Sequence, residues 1–219
     1  MEHVIKIMIY IHAFFGGIGL IAGLGSVVVQ KGSNFHKKLG TAFSYSMILS
    51  SLISLIVARM PNHENLFLFL IGIFTIYLVL SGTRALKLRA KFKTKADLMD
   101  IVISGCMLLL SLIMLSVGIV GILQGIANSI LYIFFGGFGL FMSIKDFRTF
   151  KTFISNKNDW IKSHIGRMVG ALIAAITAFM VAGLNIATLA VWTTPTILGT
   201  IYIIFWTRKF SNSKVVIKE

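Results

Sequence analysis

Hydrophobic residues run in long uninterrupted blocks along this chain rather than in stripes. The clearest blocks are Val4 to Val29, Phe43 to Val57, Leu66 to Leu80, Ile101 to Leu123 and Val169 to Val191. A water-soluble helix shows one apolar face every 3.6 residues, whereas a span in lipid is apolar all round. Lipid offers the backbone no hydrogen-bond partner, so leucine- and isoleucine-rich blocks of about 20 residues read as helices and not as barrel strands. The pattern predicts seven transmembrane helices, at 4–29, 39–59, 65–86, 98–121, 125–145, 164–184 and 190–208. The fold class expected is therefore an all-α integral membrane protein in one domain, residues 1–219.

Composition agrees with the pattern. Of 219 residues, 57% are hydrophobic and only 13% charged, and the mean hydropathy is +0.90. A soluble domain of this size needs far more charged surface. The first apolar block has no basic leader and is too long for a signal-peptide core, so it is expected to stay as the first span. The single cysteine, Cys106, excludes a disulfide framework and a cysteine-based metal motif.

A formal net charge of +14 would suit a nucleic-acid partner, but its placement argues for a membrane and no nucleic acid. The connection after helix 1 holds Lys31, Lys37 and Lys38. The connection after helix 3 holds Arg84, Lys87, Arg89, Lys91, Lys93 and Lys95. The connection after helix 5 holds Lys145, Arg148, Lys151, Lys157, Lys162 and Arg167, and the tail adds Arg208, Lys209, Lys214 and Lys218. Only Lys6 and Arg59 fall on the other side. Short basic loops stay in the cytoplasm, which predicts an N-out, C-in topology. In the fifth connection, Ile144 to Lys162, aromatic residues alternate with lysines, and the expectation is a surface helix on anionic headgroups; an ordinary packed loop is the alternative.

An internal echo suggests duplication. Phe14-Phe15-Gly16-Gly17-Ile18-Gly19-Leu20 recurs as Phe134-Phe135-Gly136-Gly137-Phe138-Gly139-Leu140, and Thr75-Ile76-Tyr77 recurs as Thr200-Ile201-Tyr202. His36 and His164 open the middle helix of each half. This predicts a parallel 3+1+3 internal repeat: residues 1–88, a linker helix at 97–122, and residues 125–210.

Few residues could carry chemistry. No acidic residue is expected deep in a span: Asp97 and Asp100 flank helix 4, and Asp146 and Asp159 fall in the fifth connection. That lowers the expectation of a cation-coupled pump or a membrane metallohydrolase. Histidine remains. His12 lies about 12 Å along helix 1, on the face of Gly16, Gly19, Gly23 and Ser26, which lets a neighbour pack closely and turns the imidazole inward. It is either a packing histidine bonded to a backbone carbonyl or serine of the next helix, or a ligand. His36 and His164 are expected at equal depth near the inner face, where two imidazoles could share a metal or the iron of haem b, with Lys37, Lys38 and Arg167 on the propionates. The same basic residues also suit lipid phosphate. His63, in the outer loop, is expected to reach toward His12. The ladder Gly166, Gly170, Ala174, Ala178 and Ala182 predicts a packing seam on helix 6, and Ser46, Ser50 and Ser54 a similar one on helix 2. Thr193-Thr194-Pro195-Thr196 is expected to open helix 7.

Several of these pieces together resemble a family of bacterial polytopic membrane proteins known only as a domain of unknown function. They are His12 with Gly16-Gly17, His36-Lys37-Lys38-Leu39-Gly40, His164-Ile165-Gly166-Arg167-Met168 with Thr177-Ala178-Phe179, and Trp192-Thr193-Thr194-Pro195-Thr196. The resemblance implies the bacterial cytoplasmic (inner) membrane and brings no activity with it. The 3+1+3 layout is similar to that of SWEET-type carriers, without their prolines in the repeat helices. Three functions are thus in view: a histidine-centred haem or metal site for electron transfer, a small-solute carrier, and a non-catalytic scaffold or accessory subunit, with an oligomer or partner subunit left open.

Overall fold

The computed structural model describes residues 2–88, 95–151, 158–186 and 188–212. The elements are α1 (Glu2–Val28), α2 (Asn34–Val57), α3 (Leu66–Ala85) with a closing 3-10 turn (Leu86–Leu88), α4 (Leu98–Leu123), α5 (Ser129–Lys151), α6 (Asp159–Ala178) and α7 (Leu189–Asn212). A single π-helical turn, Phe179–Gly183, extends α6. Among the described residues, seven helical segments are long and apolar enough to cross a membrane. Large apolar side chains such as Ile21, Val28, Tyr10, Leu98 and Leu123 stand outward on them. In water that surface would be untenable; in hydrocarbon it is the expected face. The chain is a multi-pass helical membrane protein.

Local signals set the ends. The Ser33 hydroxyl accepts from the His36 N–H at 3.1 Å to start α2, and Asn65 Oδ1 accepts from the Leu68 N–H at 3.0 Å to start α3. At α4 the Asp100 carboxylate reaches back to the Asp97 N–H at 3.0 Å. These contacts satisfy amide donors that the first helical turn leaves unpaired. Gly125 (φ 67°) and Asn128 (φ 64°) take the left-handed region, which makes 125–128 a turn and delays α5 to Ser129.

α3 and α6 pack on each other at the centre. α1 lies along α2 and α4 along α5 in the two most extensive pairings, α2 flanks α3, and α7 leans on α6. The core is apolar where these meet, around Leu78, Val79, Met107, Met114 and Ala171. Glycines allow the close approaches. A Cβ on Gly19 would stand 2.9 Å from Met47 Sδ, and one on Gly23 2.9 Å from the Phe43 ring, which seats α1 on α2.

Four expectations need correction. Among the described residues the fifth connection forms no separate surface helix: Phe147 and Phe150 belong to the last turns of α5 and Trp160 to the first turn of α6, while residues 152–157, Phe153 and Ile154 among them, lie outside the described residues. The charges of Lys145, Asp146 and Arg148 therefore lie on a helix and do not mark its end. Gly166 is no packing residue, since nothing lies within 4 Å of where its Cβ would be. Ala178 is exposed and Ala174 half-buried. The buried face of α6 runs one position over, through Arg167, Ala171 and Leu172, and Gly170 makes only ordinary contact with Leu78 at 3.7 Å. Pro195 is inside α7, in its second turn, and not at its start. Helix pairing also differs from the expected equivalence of helices 1–3 with 5–7, because α5 packs along α4 where its counterpart α1 packs along α2.

Candidate functional site

Chain direction and side-chain contacts gather the ends of α1, α3, α5 and α7 with the starts of α2, α4 and α6. Arg84 bridges α3 to the start of α4, His164 bonds α6 to α3, and the Asn158 amide donates to the Phe210 carbonyl at 2.8 Å. This basic end carries nearly all the chemistry.

Two of the histidines singled out from sequence lie at that end. His36 Nδ1 lies 3.1 Å from the Ser26 carbonyl oxygen of α1, and His164 Nδ1 lies 2.9 Å from the Gly82 carbonyl oxygen of α3. A carbonyl can only accept, so each Nδ1 carries a proton, and in the neutral ring Nε2 then keeps its lone pair. Lys37 and Lys38 beside His36 are exposed.

His12 sits apart, half-buried on α1. Its Nδ1 is 2.9 Å from the Ser50 carbonyl oxygen and 2.9 Å from Ser50 Oγ, while the Ser50 hydroxyl donates to the His12 carbonyl at 3.0 Å. Gly16 makes room for this exchange, since its Cβ would stand 3.3 Å from Ser50 Oγ. His63 is exposed in the loop between α2 and α3, where its amide N–H donates to the Met60 carbonyl at 3.0 Å.

Sequence reading missed a buried charge network between these elements. Asp146 of α5 and Arg167 of α6 form an ion pair, both buried. The Tyr77 hydroxyl of α3 donates to Asp146 Oδ2 at 2.6 Å and the Ser104 hydroxyl of α4 donates to the same oxygen at 3.0 Å. Arg167 also donates to the Met142 carbonyl at 3.1 Å and lies 5.6 Å above the Tyr77 ring. Next to it, Arg84 donates to Asp100 at 2.5 Å and to Asp97 at 3.1 Å. Two expectations fall here. Asp146 belongs to helix α5 and not to the connection after it, and Arg167 points inward to Asp146 and not outward to a propionate or lipid phosphate. A signal was available: Gly136, Gly139, Ser143 and Asp146 recur at spacings of three and four, and all are buried. They form one small-residue face of α5 on which Asp146 is the last member.

Among the described residues, no group of three or more histidine, cysteine or acidic residues converges as a metal site. Comparison with known proteins gives no relative: no family model, no curated protein and no solved structure matches the chain.

Proposed function

We propose that this is a membrane metal protein of the bacterial cytoplasmic membrane whose site is the imidazole pair His36 and His164. The observation that carries the reading is that two rings at one end of the bundle each have Nδ1 fixed on a backbone carbonyl of a neighbouring helix, which leaves Nε2 of the neutral ring to bind a metal. Anchoring one ring nitrogen on a carbonyl fixes the tautomer and raises the basicity of the other, as in metal-ligating histidines generally. Imidazole suits copper, zinc, iron or nickel, and two protein ligands leave positions open for solvent, substrate or an electron donor. A bare ion is favoured over haem b. The α3–α6 crossing beside His164 is closed, with a Cβ on Gly82 only 2.9 Å from Arg167 Cβ, which leaves a porphyrin no slot there.

The basic end faces the cytoplasm in this reading, N-out and C-in, by the charge argument. The sequence echo between residues 14–20 and 134–140 supports an ancestral duplication. Basic residues there, Lys37 and Lys38 among them, meet anionic headgroups.

Metal analysis and an absorption spectrum of detergent-purified protein test the reading. About one transition metal per chain is expected, lost in both His36→Ala and His164→Ala and kept in His12→Ala and His63→Ala. A Soret band would restore the haem version. No metal and no Soret band, even after loading with copper, zinc, iron and haemin, would overturn the site.

A second reading, a small-solute carrier, draws on Asp146 and Arg167, since charges within spans commonly line substrate or ion paths. Vesicle uptake that is abolished by Asp146→Asn and indifferent to His36→Ala would favour it.

A further inference from the structure

Arg167 is 4% exposed, and its Nε is buried without a hydrogen-bond partner. A guanidinium N–H in that position forfeits a charge-assisted hydrogen bond, which is costly in a low-dielectric interior. The side chain borders a cavity at the basic end, where Ser163 of α6, Ser81 and Arg84 of α3, and Asp100 and Ser104 of α4 also stand. Its volume is about 20 Å3. That is room for a water or so and for nothing larger. The lining supplies what a small protic ligand needs: donors on Arg167 and the serines, and acceptors on Asp100 and Asp146. The two carboxylates and two guanidiniums of the lining cancel, so it holds neither a fixed anion nor a fixed cation, whereas water meets complementary groups throughout.

We propose that this cavity is a hydrated inlet, entered from the basic end, in which water accepts from Arg167 Nε and carries hydrogen bonding from the Arg84–Asp100 pair to Asp146 and Tyr77. Solvent then reaches a carboxylate in the helical bundle from one side only. The inlet lies on the α4–α5 side of α6 and involves neither His36 nor His164, so it stands or falls apart from the metal site.

Silver ion passes where water passes and reacts with a thiol wherever it is hydrated. Cysteine substitution therefore tests the inlet in the full-length protein, with native Cys106, which is exposed on α4, first replaced by alanine. Ser104→Cys places a thiol deep in the cavity and Ser163→Cys places one on its wall. Ser111→Cys, two turns along α4 at a fully buried site, is the dry control. Vesicles of known orientation receive silver from one side, and unreacted thiol is then titrated with maleimide after denaturation. Silver from the side bearing the C-terminus is expected to protect Ser104→Cys and Ser163→Cys at least about tenfold faster than Ser111→Cys, because an apolar site suppresses the thiolate. A folded Ser104→Cys protein that stays unprotected, or is protected only from the opposite side, overturns the inlet. Should Ser104→Cys fail to fold, the same outcomes at Ser163→Cys decide.

Discussion

Arg167 on α6 donates to Asp146 on α5, although these two helices otherwise make little contact. The α4–α5 hairpin is thereby tied to the α3–α6 centre at the basic end, with Tyr77 and Ser104 completing the knot. Toward the other end the tie is aromatic: Phe67 of α3 stacks edge-on with Tyr132 of α5 at 5.2 Å, and Phe74 with Phe135 at 5.8 Å. One attachment is electrostatic and one apolar, so they respond to different perturbations.

Breaking only one partner of the buried pair strands the other. Asp146→Leu and Arg167→Met are each expected to cost about 3–5 kcal/mol, whereas the two replacements together are expected to recover most of that loss. A double-mutant cycle in detergent, read by thermal unfolding, measures the coupling. Additive single losses would show that the pair does not hold the hairpin.

His12 and Ser50 make a smaller, separable contribution. Ser50→Ala removes the hydroxyl that donates to the His12 carbonyl and leaves the Ser50 carbonyl in place as acceptor. It is expected to cost about 1 kcal/mol, and His12→Ala about 1–3 kcal/mol, because the latter strands buried partners. Metal content should be unchanged in both. Loss of bound metal in His12→Ala with the fold intact would move His12 into the site.

How far the sequence could be read follows from which forces leave a mark in it. Seven spans were legible because contact with lipid demands apolar residues all round each helix; the start of α3 fell at its Asn65 cap, whereas α2 begins at Asn34, behind the Ser33 cap and ahead of the apolar block that set the expected start at 39. That His36 and His164 share one end of the bundle followed from their places in the first turns of helices that begin at that end. Asp146 was misplaced for a definite reason. Hydropathy treats Lys145-Asp146-Arg148 as the water boundary, yet a helix goes on burying one face after the other turns polar. The seam of α6 lies one residue from the small-residue ladder because small size alone does not mark contact: Arg167, the largest side chain on the buried face, packs against Gly82 of α3. Helix pairing left no trace in either half, since apolar faces suit lipid and protein alike.

Glycines separate contact from mere smallness. A Cβ on Gly139 would stand 2.5 Å from Ser111 Oγ and closer still to the Met107 methyl. Gly139→Ala is expected to destabilise by about 1–3 kcal/mol through overpacking of α5 on α4. Gly166→Ala meets open space on a helix and is expected to be neutral or to stabilise by about 0.5–1 kcal/mol, by removing the flexibility of glycine. Melting temperatures of the two variants check the pair, and reversed signs would refute the seam assigned to α6.

Lys31 connects this architecture to pH. It lies between the first two spans, where its ammonium donates to the Ser26 and Val29 carbonyls at 3.1 and 3.2 Å, and to Val27, at the end of α1. It also stands 5.6 Å from the Tyr202 ring and 5.3 Å from the Trp206 ring of α7. Burial holds its pKa below the ordinary 10.5. Between the folded and the unfolded value, the unfolded chain binds more protons at this site than the folded one, so stability rises with pH across that window. The native protein should therefore gain in melting temperature relative to Lys31→Met as pH is raised from 7.5 toward 10. At neutral pH the variant loses the capping bonds and the cation–π contacts but also sheds the burial penalty, which makes the difference small there. A difference that moves in favour of the variant at high pH would mean that the ammonium, held by the carbonyls and rings, is favoured over the neutral amine in the fold.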